Sequence, residues 1–245
     1  MADSTVCLVT TYNRPDALAR SLPQIVALGA PVLVVDDASA DVKAMNAVIT
    51  RSPGVGWLRL PTNRGLACVL NVGLAFWLAD PAVEWVSVFQ DDVDVRPDCL
   101  NVLALTADTT QSQIITGHDA AEHAAVRGGW RFTDSVAVRH DGAEFVLKLK
   151  TNSRATHMHA SRDYWTSVMP IPTRTLGAPK RTTDDPSVRG VGSNVDWWIY
   201  RDCPNSVVAQ GGHVVCVPGL VRTFYSQAKD STWNNAAPHG EEPPL

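Results

Sequence analysis

Four compact apolar runs, at 5–11, 31–36, 55–60 and 85–90, each bounded by Pro, Gly, Asn or Asp, dominate the first ninety residues. Runs so short and so continuously apolar read as strands buried on both faces. Helical patterns fill the intervals. Pro15 can open the first helix, and Leu66, Val69, Leu70, Gly73 and Trp77 recur at helical spacing in the third, whose start is marked by Asn63 and Gly65. Strands alternating with helices imply right-handed crossovers and a parallel sheet. The fold class is therefore α/β, a Rossmann-like and mostly parallel sheet flanked by helices.

Beyond Asp98 the pattern changes. A helix to about Thr109 is followed by mixed strands at 113–116, 135–138 and 145–149, which extend the sheet and build a mixed annex. The expected division is a ligand-binding half at 1–100, a second half of the same domain at 101–232, and a frayed tail at 233–245. Residues 170–192 concentrate Pro, Gly, Thr and charge, and read as a long loop in which Lys180, Arg181 and Arg189 flank Asp184 and Asp185.

Composition excludes several classes. Hydrophobic residues at 45% and charged residues at 19% describe a globular chain, and 245 residues lie within the reach of one core. The longest apolar run, 66–79, is broken by Asn71 and falls short of the roughly 20 residues a bilayer requires. Met1-Ala2-Asp3-Ser4 carries no basic segment and 6–10 is too short for a signal core, so the cytoplasm is the expected location. A net charge of −4 offers no global basic field to nucleic acid. Cys7, Cys68, Cys99, Cys203 and Cys216 are scattered, odd in number and without a C-x-x-C pair, which points to reduced thiols. His118-Asp119 with Glu122 and His123, and His157-Met158-His159, lack zinc-site spacing and are expected on the surface or in a cleft.

In open parallel sheets, ligands bind beyond the carboxyl ends of the strands. Three such ends are polar: Thr10-Thr11-Tyr12-Asn13-Arg14-Pro15-Asp16, with hydroxyls, an aromatic face and a guanidinium; Asp36-Asp37-Ala38-Ser39; and the acidic stretch from Gln90 through Asp91, Asp92 and Asp94 to Asp98. Three carboxylates within four positions repel one another unless a cation offsets them. Alternation along an extended backbone puts Asp92 and Asp94 on one face, able to share an ion, with Asp91 pointing elsewhere. Hard carboxylate oxygens suit Mg²⁺ or Mn²⁺, which take their remaining ligands from water and substrate phosphates.

These stretches, together with Val34-Val35-Asp36-Asp37-Ala38-Ser39, Asn63-Arg64-Gly65-Leu66 with Asn71, and Phe89-Gln90-Asp91-Asp92 leading to Pro97-Asp98-Cys99-Leu100, resemble the GT-A glycosyltransferases of the large inverting family 2. The resemblance is clear over about two fifths of the chain. It implies that Thr11 and Tyr12 line a nucleotide base, that Asp37 binds base or ribose, and that Arg64 lies near base or diphosphate. Arg14 joins this nucleotide-binding set, Asp91 meets the ribose and Asp92 the metal. Gln90 occupies the first acidic place of the family's D-x-D, and a second register makes Asp92-Val93-Asp94 that motif. Thr223 stands where the family tends to have a histidine, with His213 the nearest alternative.

The resemblance also implies a general base at a helix start in the second half. Asp196 is the candidate, with Asn194 in the other register, and Trp197 and Trp198 beside it are suited to stacking a sugar ring. The expected function is metal-dependent inverting transfer from a nucleotide-diphosphate sugar, a uridine one, to an unidentified acceptor such as a glycan, lipid-linked sugar, protein, small molecule or modified base. The alternatives are a catalytically silent sugar-nucleotide or glycan-binding module, and a sugar-1-phosphate nucleotidyltransferase, whose Gly-rich basic signature 10–16 lacks.

Overall fold

The computed structural model describes residues 4–119, 137–140, 142–150, 153, 155–173 and 195–224. Its first part alternates β1 (Thr5–Thr11), α1 (Pro15–Val26), β2 (Val32–Asp36), α2 (Val42–Ile49), β3 (Gly56–Arg59), α3 (Leu66–Leu78) and β4 (Trp85–Gln90). The strands lie in the order β3-β2-β1-β4 and every pair is parallel.

There follow β5 (Val93–Val95), α4 (Cys99–Thr110), β6 (Ile114–His118), β7 (Ala137–His140), β8 (Ala143–Val146), β9 (Lys148–Lys150), β10 (His157–Ser161) and α5 (Arg162–Val168). A short α6 (Val195–Trp197) runs into a π-helical turn (Trp198–Asp202), and β11 (Val214–Thr223) completes the described chain. Strand β10 lies antiparallel between β4 and β6, while β11 runs parallel to β6 and antiparallel to β5 and β9. The second half is thus mixed, as expected.

Two expectations change. The acidic stretch after β4 contains the three-residue strand β5, which pairs with the end of β11. The single strand expected at 145–149 divides: β8 forms a hairpin with β7 across a turn ending in Gly142 (φ 77), and β9 pairs with β11. Leu147, 1% exposed, is drawn into the core between them and ends the hairpin. Part of the strand expected at 135–138, most of the 170–192 loop and the 233–245 tail lie outside the described residues.

Alternation along the central strands sends side chains to two apolar layers. Cys7, Val9, Val32 and Val34 pack with Leu18, Leu22 and Ile25 of α1, Met45 of α2 and Leu103 of α4. Val6, Leu8, Leu33 and Val35 pack with Leu70 and Leu74 of α3, Trp165 of α5 and Tyr200 of the π-helical turn. Each large side chain so buried contributes about 2 kcal/mol. Gly73 lets α3 approach β1: a Cβ there would lie 2.4 Å from Leu8 Cδ1. Among the described residues no helix is long and apolar enough to cross a membrane.

Candidate active site

The carboxyl ends of β1, β2 and β4 meet at one edge, and hydrogen bonds stitch their loops together. The Asn13 N–H donates to Ser39 Oγ (2.8 Å), and the Ala40 N–H donates to Asn13 Oδ1 (2.6 Å). Ser39 in turn donates through Oγ (2.5 Å) and N (2.9 Å) to Asp36 Oδ1, while Arg59 Nη1 donates to Asp36 Oδ2 (2.5 Å). Asn13 (φ 55) and Ala38 (φ 64) both sit in the left-handed region. Asn tolerates that conformation; Ala costs about 1 kcal/mol there, strain located beside Asp37.

Asp37 is buried and accepts from the Arg64 and Gly65 backbone N–H groups, each at 2.7 Å. Burial pushes its carboxyl above the usual range, against the pull of those two donors. The carboxylate thereby fastens the end of β2 to the start of α3. The Arg64 side chain at that junction is exposed.

Asp91 is fully buried. Thr11 Oγ1 donates to its Oδ2 (2.7 Å), the Tyr12 N–H donates to its carboxylate, and Arg14 Nη2 lies 2.5 Å from its Oδ1 as an ion pair without hydrogen-bond alignment. Burial pushes the Asp91 carboxyl up to about 7, with Arg14 pulling it down and Asp92 pushing it up. Arg14 Nη1 also donates to Asp92 Oδ2 at 2.9 Å. The guanidinium therefore spans both acids.

The shared face expected for Asp92 and Asp94 is not what forms. Asp91 and Asp92 occupy a turn rather than an extended strand, so the strict alternation fails and Arg14 gathers both. Asp94 lies on β5 facing α1, where Arg20 holds it bidentately (3.0 and 2.5 Å) and Gln24 Nε2 donates to it (3.2 Å).

Sequence reasoning did not single out the residues that hold this turn. Ser21 Oγ donates to the Asp91 carbonyl (2.8 Å), Gln24 Oε1 accepts from the Val95 N–H (2.9 Å), and the Phe224 N–H donates to the Asp92 carbonyl (3.0 Å). The Arg20 guanidinium lies 3.8 Å over the Phe224 ring. One signal was available: Ser21 and Gln24 lie three apart on one face of α1, polar residues on a side that also carries buried apolar ones, with Arg14 just before the helix. Thr223 ends β11 opposite Val93, beside the acids, whereas His213 precedes the far end of that strand and is no part of this edge.

The chemistry of the acid pair suits a hard divalent cation, and an oxygen of Asp92 has neither a hydrogen bond nor an ion pair among the described residues. Asp92 Oδ1 is buried with no hydrogen-bond donor among the described residues, while Arg14 holds the other oxygen. An unpaired buried carboxylate oxygen is costly unless something positive meets it. No group of three or more His, Cys, Asp or Glu placed to hold a metal forms among the described residues. The protein thus offers Asp92 with a neighbouring acid, a set that leaves positions for water and phosphate.

Asp196, half-buried, begins the short helix α6. Its charge, after burial, helps push the buried Tyr200 phenol well above its ordinary range, and Tyr200 Oη donates to the His157 carbonyl (3.5 Å). His157 pairs with Phe89 across the sheet, one residue before Gln90. Asp196 thus lies within electrostatic reach of Tyr200, whose side chain packs in the apolar layer on the α3 side of the sheet. Trp198 turns inward, its indole N–H donating to the Val168 carbonyl (2.9 Å), and Tyr164 Oη donates to the Ile199 carbonyl (2.6 Å). Trp197 is 40% exposed with the Arg201 guanidinium 4.2 Å over its ring. The two tryptophans thus diverge, one toward solvent and one toward α5. Asn194, Glu122 and His123 lie outside the described residues.

The histidines expected on the surface or in a cleft are buried instead. His157 Nδ1 accepts from the Gly117 N–H (2.8 Å), so its proton sits on Nε2, which faces Ser87 Oγ (3.2 Å). His159 stacks on Trp85, 4.8 Å between centroids and 6° between planes. Burial pulls both imidazoles down, His159 to about 3 from an ordinary 6.5. Each stays neutral in the folded chain, so the stability this confers is complete above pH 6.5 and is lost as pH falls toward the folded value. Asp91, shifted upward, has the opposite sign. Comparing the wild type with His159→Phe isolates the imidazole. From pH 7 to pH 5 the wild type should lose about 2 kcal/mol relative to that variant in urea unfolding; parallel curves would refute neutral burial.

The family described as Glycosyl transferase family 2 matches residues 6–165. The Succinoglycan biosynthesis protein ExoO of Rhizobium meliloti (strain 1021) is 31% identical over 110 residues, 44% of this chain and 30% of that protein. Among solved structures, S. aureus TarS 1-349 in complex with UDP superposes with a TM-score of 0.53 at 15% identity, covering 88% of this chain and 60% of that one. The mannosyltransferase PcManGT from Pyrobaculum calidifontis, in complex with GDP-Man and Mn²⁺, gives 0.57 at 17% identity, covering 90% and 56%. At these identities the likeness is one of fold, and the chain spans less than a third of its curated relative.

Proposed function

Because the chain belongs to glycosyl transferase family 2, we propose that it transfers a sugar, with inversion, from a nucleotide-diphosphate sugar to an acceptor hydroxyl with the help of a divalent cation on Asp92. One observation carries the reading. At the carboxyl edge of the sheet, a buried acid pair with an unpaired Asp92 oxygen lies beside Thr11, Tyr12, Asp37 and Arg64, where open α/β sheets bind nucleotides. A uridine donor is supported by the UDP complex of the structurally similar TarS, and a metal by the Mn²⁺ complex of the mannosyltransferase.

In this reading the Tyr12 ring, half-buried beside Thr11, and the exposed Arg64 side chain bind the nucleotide. Asp37, by fixing the 64–65 backbone, sets where Arg64 starts. Asp91, to which the resemblance assigned the ribose, is fully buried and instead positions Thr11, Tyr12 and Arg14 around the nucleotide. Magnesium or manganese, when bound, would neutralise charge on the departing diphosphate. Asp196 takes the proton from the acceptor hydroxyl as its oxygen attacks the anomeric carbon, and the bond to the diphosphate breaks on the opposite face, releasing nucleoside diphosphate. Trp197 offers a flat apolar face to a sugar ring. The 101–232 half chooses the acceptor.

Calorimetric titration of uridine diphosphate with and without Mn²⁺ tests this. Binding that requires Mn²⁺ is the expected result. Binding of guanosine or thymidine diphosphate instead would reassign the base, and the absence of binding by any of them would overturn the donor site.

A further inference from the structure

We infer that Arg14 is an exchangeable counter-ion: in the metal-free protein it neutralises Asp91 and Asp92, and when a divalent cation takes Asp92 it moves to the donor's diphosphate, so that cation and donor bind cooperatively through one guanidinium. The inference rests on the reading of Asp92 as the cation's residue.

The geometry places Arg14 where a cation would have to be. Its Nη1 occupies Asp92 Oδ2 at 2.9 Å and its Nη2 lies 2.5 Å from Asp91 Oδ1, leaving Asp92 Oδ1 unpaired. A dication drawn to Oδ1 meets a guanidinium on the neighbouring oxygen of the same carboxylate. Like charges at such separation repel strongly in a site only 10–13% exposed on its side chains. Among the described residues no other basic side chain pairs with Asp91 or Asp92, since Arg20 is committed to Asp94 and Arg59 to Asp36. The acids therefore have one resident cation, and it is of a kind that can leave.

The backbone position itself does not favour the Arg14 charge. The residue occupies the position just before α1, where its side chain makes no capping hydrogen bond and where the helix dipole disfavours a positive charge. The two acids hold it there. Once a cation takes Asp92, that hold weakens, and a diphosphate arriving at the same edge supplies oxygens that a planar guanidinium grips bidentately. Two ligands that each relieve the other's cost are thermodynamically coupled, and the coupling is reciprocal.

The test measures Mn²⁺ affinity by calorimetry, with and without uridine diphosphate, on the wild type and on Arg14→Gln. Uridine diphosphate should tighten Mn²⁺ binding to the wild type about tenfold or more. Arg14→Gln should tighten Mn²⁺ alone by about tenfold, because the acids lose their competitor, and should shrink the enhancement by uridine diphosphate by about the same factor, leaving the part that direct phosphate coordination supplies. Arg14→Lys, which keeps a charge that reaches one acid at a time, should fall between them. A measurement on the wild type is independent of variant folding: the Arg14 Nε–Hε NMR resonance should shift on adding Mg²⁺ and again on adding uridine diphosphate. Unchanged Mn²⁺ affinity in Arg14→Gln, full coupling without the arginine, or an unmoved resonance would overturn the exchange while leaving the donor site standing. Failure of the wild type to bind either ligand would overturn the exchange together with the functional reading beneath it.

Discussion

Asp92→Ala should abolish Mn²⁺-dependent binding of uridine diphosphate and lower kcat/KM by about 10³-fold. Asp92 presents a buried carboxylate oxygen that no hydrogen-bond donor among the described residues meets, and its other oxygen accepts from Arg14. Removing the carboxylate removes the anchor for the charge that offsets the departing diphosphate. The fold should survive, because the Asp92 carbonyl still accepts from the Phe224 N–H and Ser21 still holds the Asp91 carbonyl. Asp92→Asn separates charge from shape. It keeps the side-chain volume and should lose the metal nearly as fully. Calorimetry and initial rates read both variants, and retained Mn²⁺ dependence in either would mean that another residue holds the cation.

Asp196→Asn should cut kcat by about 10²–10⁴-fold with donor affinity unchanged. The prediction separates chemistry from binding, since Asp196 lies on α6 while the proposed nucleotide residues lie on the loops after β1, β2 and β3. Asparagine keeps the start of the short helix and leaves the anchors of the following turn in place, the Trp198 and Tyr164 hydrogen bonds to Val168 and Ile199. Turnover is measured as nucleoside diphosphate released per acceptor glycosylated. A variant with wild-type kcat would pass the base role elsewhere, and weakened donor binding would make Asp196 a nucleotide residue.

The first half of this fold was legible because its signals are local. The apolar runs at 5–11 and 85–90 coincide with β1 and β4, and Pro15 opens α1 as its fixed φ allows. The second half was less legible because its pairing is not local. Nothing in His157–Ser161 announces that it runs antiparallel between β4 and β6, and the histidines within it look like surface residues until their strand is central. In the same way the sequence displayed Asp91, Asp92 and Asp94 without their partners. Arg14 just before α1 and Arg20 within it reach them from more than seventy residues earlier, and a turn in place of an extended strand decided which acids stand together. Asp37 stood out in the sequence as a strand-end acid, but not as the carboxylate that fixes the 64–65 backbone.

The antiparallel insertion of β10 also bears on whether the two halves can exist apart. A chain cut near residue 100 would keep β3-β2-β1-β4 but leave the apolar β4 with a bare row of N–H and C=O groups where β10 belongs. Such an edge is a template for association with other chains. The same contact makes completion of the sheet wait on residues some seventy positions downstream, a long loop to close before the pairing rewards it. Over the described residues the two halves share one sheet, and a strand of the second half covers the β4 edge that the first half would otherwise expose.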